Sequence, residues 1–236
     1  CVAAVPHAEA AAKPNVIVVL IDAQRADVMG PYGYKLRKTT PNLDKFAAGG
    51  MVWENVISQN AWTVPSVASL FSGVDPQGHR TLRFQNKGRI EMDTMSELHD
   101  TMAEQFKAGG YTTGAFIKST VIDSSRGFSQ GFDNFNIVGG KDQAWGYSAK
   151  ELNDAAIPWL LEKGKSGKPF FAYLHFMDAH SPYKAPEPWY SKYKGNYTGR
   201  FTGAHVELED AVKKGPAPIA ADGDMLKGYY DAEVEY

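Results

Sequence analysis

The sequence predicts an α/β fold with a mostly parallel central sheet and helices on both of its faces. Three uninterrupted apolar runs predict the strands: residues 15–21 (NVIVVLI), 114–117 (GAFI) and 170–177 (FFAYLHFM). None of them alternates apolar with polar residues, which is typical of parallel strands that are buried on both faces. Helical patterns lie between these runs, so predicted strands and helices alternate along the chain.

Each apolar run is followed by polar side chains. Asp22 follows the first run, Lys118 follows the second, and Asp178 and His180 come just after the third. In open α/β sheets, ligands bind beyond the carboxyl ends of the strands. The sequence therefore predicts that a carboxylate, an ammonium group and an imidazole meet at one edge of the sheet.

Three segments carry clear helix signals. Thr40 precedes a predicted helix over residues 41–48, which has a proline in its first turn. A capping-box pattern at residues 94–97 (TMSE) predicts the start of a second helix. Residues 148–163 predict a third helix, and the proline in its interior, Pro158, is expected to kink it or to mark a restart.

Composition excludes several functional classes. A length of 236 residues suits one large α/β domain with a sizeable core. The formal net charge is −2, and no basic run interleaves with aromatic residues, so nucleic acid is not an expected partner. The single cysteine, Cys1, excludes an internal disulfide framework and a zinc site built from cysteines.

The first fourteen residues have several interpretations. Residues 1–14 are small, polar and bounded by proline, which predicts a flexible tether. Cys1 suits a bacterial lipoprotein whose N-terminal cysteine carries lipid, and residues 8–10 (AEA) suit the end of a signal peptide. Both interpretations place the protein in the periplasm or on a membrane through lipidated Cys1. A third interpretation is that the start of the sequence is arbitrary and carries no targeting signal. No apolar stretch is long enough to span a membrane.

Six motifs follow the first strand. They are residues 40–44 (TPNLD), 61–73 (AWTVPSVASLFSG), 73–79 (GVDPQGH), 110–118 (GYTTGAFIK), 176–183 (FMDAHSPY) and 230–236 (YDAEVEY). Their order resembles that of the sulfatase family of the alkaline phosphatase superfamily. The resemblance implies one sulfatase-like α/β domain over residues 15–236, which represents the N-terminal portion of the usual domain. It also implies that the Asp-His pair completing the family's metal site would come after Tyr236.

Thr63 occupies the position of the family's nucleophile. In sulfatases a Cys or Ser at this position becomes formylglycine, and an Arg stands four residues later. Here the two positions hold Thr63 and Val67. Threonine cannot form that aldehyde, so the resemblance implies attack by a threonine alkoxide at the start of the helix predicted over residues 64–72. The alternative is that Thr63 only caps this helix.

The resemblance also implies roles for three further residues. Asp22 corresponds to a metal ligand, and Ala23 stands where many sulfatases have a second acidic ligand. One carboxylate, Thr63 and a later Asp-His pair would form a compact site that favours zinc or manganese over calcium. Lys118 corresponds to a substrate-binding lysine, and His180 to a group that binds the substrate or protonates its leaving group.

These features lead to three functional hypotheses. The first is a metal-dependent hydrolase or transferase of phosphate or sulfate esters that forms a covalent ester on Thr63. The second is a true sulfatase, and the third is a non-catalytic binding domain that retains the fold. The expected substrate is a small-molecule, glycan or lipid-headgroup ester. The aromatic residues between 182 and 197 suit a sugar or headgroup cleft, or pack locally.

Overall fold

The computed structural model describes residues 13–86, 89–139, 149–199, 201–204 and 220–236. The predicted tether up to residue 12, with Cys1, therefore lies outside the described residues. The strands are β1 (Val16–Ile21), β2 (Arg83–Asn86), β3 (Arg89–Met92), β4 (Thr112–Ile117), β5 (Asn134–Ile137) and β6 (Phe170–Phe176). Four of them form a parallel sheet in the order β1-β6-β4-β5, and β2 and β3 form an antiparallel hairpin.

Helices cover both faces of the parallel sheet. They are α1 (Pro41–Ala48), α2 (Thr63–Ser72), α3 (Pro76–His79), α4 (Met102–Ala108), α5 (Ala149–Gly164), α6 (Trp189–Lys194) and α7 (Ala220–Glu235). Side chains of α2 and α4 pack with Ile117 and Tyr173 in the largest hydrophobic core. Leu152 and Ala156 of α5 pack with Phe116 and Leu174 in a second core on the opposite face. The predicted fold class is confirmed.

The first predicted strand is not buried on both faces. In β1, Ile17 and Val19 are 47% and 55% exposed, whereas Val16, Val18 and Leu20 pack against the main core. The prediction was wrong because β1 lies at the edge of the described sheet, and the described residues cover only one of its faces. An unbroken apolar run does not distinguish such an edge strand from a central one.

The predicted capping box is also in the wrong place. The helix α4 begins at Met102, with Thr101 as its N-cap. The Thr101 hydroxyl accepts a hydrogen bond from the Glu104 amide at 3.2 Å, and the Glu104 carboxylate accepts one from the Thr101 amide at 2.7 Å. Residues 94–97 and 101–104 match the same pattern. Leu98, directly after the first of these matches, is 92% exposed in the turn that precedes α4.

The other two predicted helices are confirmed. The observed bounds of α1 are those predicted. The helix α5 continues through Pro158, so this proline does not mark a restart. Within the described ranges, no helix is both long and apolar enough to cross a bilayer.

Candidate active site

Asp22 and Thr63 meet at the carboxyl end of the sheet. Asp22 directly follows β1, and its amide donates a 2.9 Å hydrogen bond to the carbonyl of Phe176, which extends the pairing with β6 by one residue. Thr63 is the first residue of α2. Its hydroxyl donates to Oδ2 of Asp22 at 2.9 Å across 41 residues of sequence. The hydroxyl therefore lies at a helix N-terminus and against a carboxylate.

A second hydrogen-bonded group holds Asp22 from inside the sheet. His175, which is fully buried in β6, has its Nε2 3.3 Å from Oδ2 of Asp22. Its Nδ1 lies 2.9 Å from the hydroxyl of Tyr173. Burial raises the pKa of Tyr173 well above its ordinary value, so the phenol keeps its proton. A carboxylate oxygen can only accept, so Nε2 of His175 carries the hydrogen of the contact with Asp22.

The charge of Asp22 is set by opposing effects. Burial acts to raise the pKa of this carboxyl group, but the hydrogen bond and charge of His175, together with the bond from Thr63, outweigh it. The pKa consequently lies below its ordinary value and Asp22 is ionised at neutral pH. Both hydrogen bonds end on Oδ2, so within the described contacts Oδ1 keeps its lone pairs for another ligand.

Asp22 and Thr63 line a cavity of about 450 Å³. His180, on the loop after β6, lines the same cavity. Its Nδ1 is 2.7 Å from the carbonyl oxygen of Ser181. A carbonyl can only accept, so this contact fixes a proton on Nδ1 of His180. Val67, in the position of the family's Arg, also lines the cavity. Three of the four predicted site residues therefore come together.

Lys118 is not among the residues that line the cavity. It follows β4, as predicted, but is only 2% exposed and forms an ion pair with Glu151 of α5. Asp178 is also near α5, where one of its carboxylate oxygens accepts a hydrogen bond from the Ala149 amide at 2.7 Å. Burial raises the pKa of Asp178, partly offset by this amide and by the charge of Lys118.

The turn after Asp22 is held from the far end of the chain. Ala23 has a positive φ of 57°, a left-handed conformation that is uncommon for residues with a side chain. The hydroxyl of Tyr230, on α7, donates to the Ala23 carbonyl and accepts from the Arg25 amide, each at 2.8 Å. Tyr230 thus bridges both sides of the strained turn. No local pattern around Tyr230 predicts this role, and its place in the motif at residues 230–236 is the signal that could have found it.

The described residues fit part of a divalent metal site. Asp22 and Thr63 supply two converging oxygen donors, which suit a small divalent cation. In the described ranges, no group of three or more His, Cys, Asp and Glu residues could hold a metal ion. A complete site needs further ligands in addition to Asp22 and Thr63.

These elements define an α/β domain with a parallel central sheet. The sulfatase family profile matches residues 14–231, and the chain belongs to the sulfatase family. The N-acetylglucosamine-6-O-sulfatase of Bacteroides thetaiotaomicron is 26% identical over 192 residues, which cover 74% of this chain and 32% of that protein. The chain spans less than half of the length of the first curated relatives that it matches.

Solved structures of other proteins share the fold. The phosphonate monoester hydrolase of Agrobacterium radiobacter has a TM-score of 0.64 at 20% identity, over 94% of this chain and 57% of that one. The C-terminal periplasmic domain of EptC from Escherichia coli, in complex with zinc, has a TM-score of 0.64 at 18% identity, over 94% and 56%. At these identities the likeness establishes the fold.

Proposed function

We propose that the protein is a metal-dependent hydrolase or transferase of phosphate or sulfate esters that uses Thr63 as its nucleophile. The observation that carries the proposal is the 2.9 Å hydrogen bond between the Thr63 hydroxyl and Asp22, inside a cavity that His180 also lines. A threonine that only caps a helix needs neither a buried carboxylate nor an imidazole at its side.

A free threonine hydroxyl is too weak an acid to attack unaided. A divalent metal held by Asp22, Thr63 and further ligands, with zinc or manganese favoured over calcium, would lower the pKa of the hydroxyl and neutralise charge on the ester. Asp22 is ionised and oriented by His175, so its carboxylate is ready to bind a cation. The amides of the first turn of α2 favour a bound anion beside Thr63.

The reaction would proceed in two displacements. In the first, Thr63 would lose its hydroxyl proton to solvent on binding the metal, and Oγ1 would form a bond to the phosphorus or sulfur atom. The bond to the leaving oxygen would break, and His180 carrying a proton on both ring nitrogens would give one to that oxygen. In the second, His180 would take a proton from water or an acceptor alcohol, whose oxygen would attack the phosphorus or sulfur atom and release Oγ1 of Thr63. Lys118 pairs with Glu151 in this structure. If it left Glu151 and bound the phosphate or sulfate group instead, its charge would stabilise the negative charge on the substrate.

Phosphate is the favoured ester. A formylglycine hydrate can expel sulfate by carbon–oxygen cleavage, because its second hydroxyl collapses to the aldehyde. Thr63 has no second hydroxyl on that carbon, so its ester must be displaced by attack at phosphorus or sulfur. A true sulfatase that hydrolyses sulfate esters through the same residue is the first alternative. We propose small-molecule, glycan or lipid-headgroup esters as substrates, in an extracytoplasmic location.

A non-catalytic binding domain is the competing function. Two observations favour it: Val67 replaces the family's Arg, and Lys118 is paired with Glu151 instead of lining the cavity. The interaction of Thr63 with Asp22 and the presence of His180 in the same cavity favour an enzyme.

Metal content and turnover distinguish these functions. The whole natural protein, Thr63→Ala and Thr63→Ser would be analysed by metal mass spectrometry and assayed with matched aryl phosphate and aryl sulfate esters. We expect stoichiometric zinc or manganese that falls in Thr63→Ala, and phosphate turnover that Thr63→Ser retains. Thr94→Ala, which changes an exposed threonine outside the cavity, is the control. Calcium, or no metal and no turnover, would contradict the activated-threonine mechanism.

A further inference from the structure

Trp62, the residue before the nucleophile, presents an exposed ring at the cavity. It is the N-cap of α2, lines the same cavity as Thr63, and is 55% exposed. An indole of this exposure adds little to the stability of the hydrophobic core. It does provide a large flat surface next to the reacting group, where the organic part of an ester would lie.

The backbone that carries Trp62 is fixed by local hydrogen bonds. The side-chain oxygen of Asn60 accepts from the Trp62 amide at 3.0 Å. The carbonyl of Asn60 accepts from the hydroxyls of Ser66 at 2.6 Å and Ser58 at 2.8 Å. These contacts join the loop before α2 to the first turn of the helix, so the indole is presented from an ordered backbone. Ordering before binding reduces the entropic cost of binding a ligand.

A cation covers one face of this ring. Arg83, the first residue of β2, places its guanidinium carbon 3.5 Å from the ring centroid of Trp62. The indole and the guanidinium attract each other, which holds the cation against a residue that lines the cavity. Among the described residues, the arginines that form ion pairs are Arg25, Arg37 and Arg126. The described contact of the Arg83 guanidinium is with the indole of Trp62.

We propose that Trp62 and Arg83 form a subsite for the organic part of the ester, which carries a ring and a second anionic group. The ring, a sugar or an aryl group, stacks on the accessible surface of Trp62, and its acidic substituent binds the guanidinium of Arg83. Arg is suited to this role because its fork of N–H donors matches a carboxylate or sulfate. The subsite deepens the proposed function and rests on it for the position of the reacting ester.

The test compares substrates that differ by one feature. Methyl phosphate has no ring, phenyl phosphate and glucose 1-phosphate have a ring, and 4-carboxyphenyl phosphate and glucuronic acid 1-phosphate add a carboxylate. The kcat and KM of each would be measured for the whole natural protein, Trp62→Leu, Trp62→Phe and Arg83→Gln. Trp53→Leu, which removes an exposed indole outside the cavity lining, is the matched control.

We expect Trp62→Leu to raise the KM of ring substrates by about fivefold or more, with kcat and the KM of methyl phosphate unchanged. Trp62→Phe should restore most of the loss. Arg83→Gln should raise KM only for the two carboxylated substrates, also by about fivefold. The aryl pair is phenyl phosphate and 4-carboxyphenyl phosphate, and the sugar pair is glucose 1-phosphate and glucuronic acid 1-phosphate. The pair whose KM changes more in the variants identifies the ring as an aryl group or a sugar. Equal effects on methyl phosphate, or no effect on any substrate, would overturn the subsite.

A binding measurement separates failure of the subsite from failure of the proposed function. Methyl glucuronide and 4-sulfobenzoate have no phosphate or sulfate ester to cleave. Each would be titrated with the wild type and the same variants, and binding would be followed by NMR of the probe. If the protein hydrolyses none of the esters but either probe binds in a manner that depends on Trp62 and Arg83, the subsite stands and the proposed chemistry falls. If the protein turns over the esters, but neither the binding of the probes nor the KM of the esters changes in the Trp62 and Arg83 variants, the subsite is wrong.

Discussion

The hydroxyl of Thr63 donates a 2.9 Å hydrogen bond to the carboxylate of Asp22. One residue begins a helix and the other follows an edge strand, so the contact exists only because α2 packs against the carboxyl end of the sheet. His175 approaches the same carboxylate oxygen from β6. The Thr63 hydroxyl, the Asp22 carboxylate and the buried His175 imidazole thus form one hydrogen-bonded group.

Tyr230 should be a positioning residue for Asp22. Tyr230→Phe removes both hydrogen bonds that hold the turn at Ala23. We expect a loss of about 1–3 kcal/mol in the free energy of unfolding, because two part-buried backbone groups lose their partner. We also expect kcat to fall with little change in KM, because the Asp22 loop would lose its fixed position.

Tyr32→Phe is the matched control for this change. The hydroxyl of Tyr32 donates a single exposed hydrogen bond to the carbonyl of Trp53, away from the cavity. Chemical denaturation and steady-state kinetics on both variants provide the comparison. If Tyr230→Phe lowers stability but leaves kcat at the level of Tyr32→Phe, then Tyr230 is structural and does not position Asp22.

Glu233 should make stability fall as the pH rises. This residue of α7 is 2% exposed, and neither carboxylate oxygen has a hydrogen-bond partner among the described residues. Burial raises its pKa from 4.5 to about 8; the backbone amide of Lys184 opposes this and the charge of Asp178 adds to it. Between those two pH values the folded protein binds more protons than the unfolded chain, so the free energy of unfolding decreases with rising pH.

The variant Glu233→Gln isolates this effect. Glutamine cannot ionise, so the variant should lose the part of the pH slope between about 4.5 and 8 that Glu233 causes. At pH 8 it should be more stable than the wild type, by up to about 5 kcal/mol. Denaturation curves from pH 4 to 9 would measure it, with Glu235→Gln on the same helix as a comparison. Parallel slopes in wild type and Glu233→Gln would show that Glu233 ionises normally.

Lys118 and Glu151 should have unequal effects on activity. If Lys118 binds the substrate anion, Lys118→Met should lower kcat/KM by about tenfold or more. Glu151→Gln keeps the lysine charge, so it should lower kcat/KM by less than about threefold while reducing stability by about 1–3 kcal/mol. Kinetics and denaturation on both variants test this. If both lose stability and neither loses activity, the ion pair is purely structural.

The sequence predicted those parts of the site that depend on local patterns. Asp22 and His180 follow apolar runs, and the carboxyl ends of parallel strands share one edge, so their convergence followed from topology. Thr63 was placed at a helix start because the apolar segment of residues 64–72 follows it. In the structure this helix runs from Thr63 to Ser72 and ends at Gly73, which has a positive φ.

Contacts between distant segments were not predictable in the same way. The bond between Tyr230 and Ala23 joins residues 207 positions apart, and nothing in either local pattern specifies it. Lys118 follows its strand as predicted, but its pairing with Glu151 depends on how α5 packs on the sheet. His175 lies inside a strand, and only the strand order brings its ring to Asp22.

The most direct test of the account is to trap the covalent ester. The whole natural protein would be mixed with an aryl phosphate, quenched in acid within the steady state, digested, and examined by peptide mass spectrometry, beside Thr63→Ala. A threonine nucleophile predicts a phosphoryl group on Thr63 that appears with substrate and disappears in the variant. Turnover with no modified Thr63, or with a phosphoryl group on another residue, would contradict a threonine nucleophile.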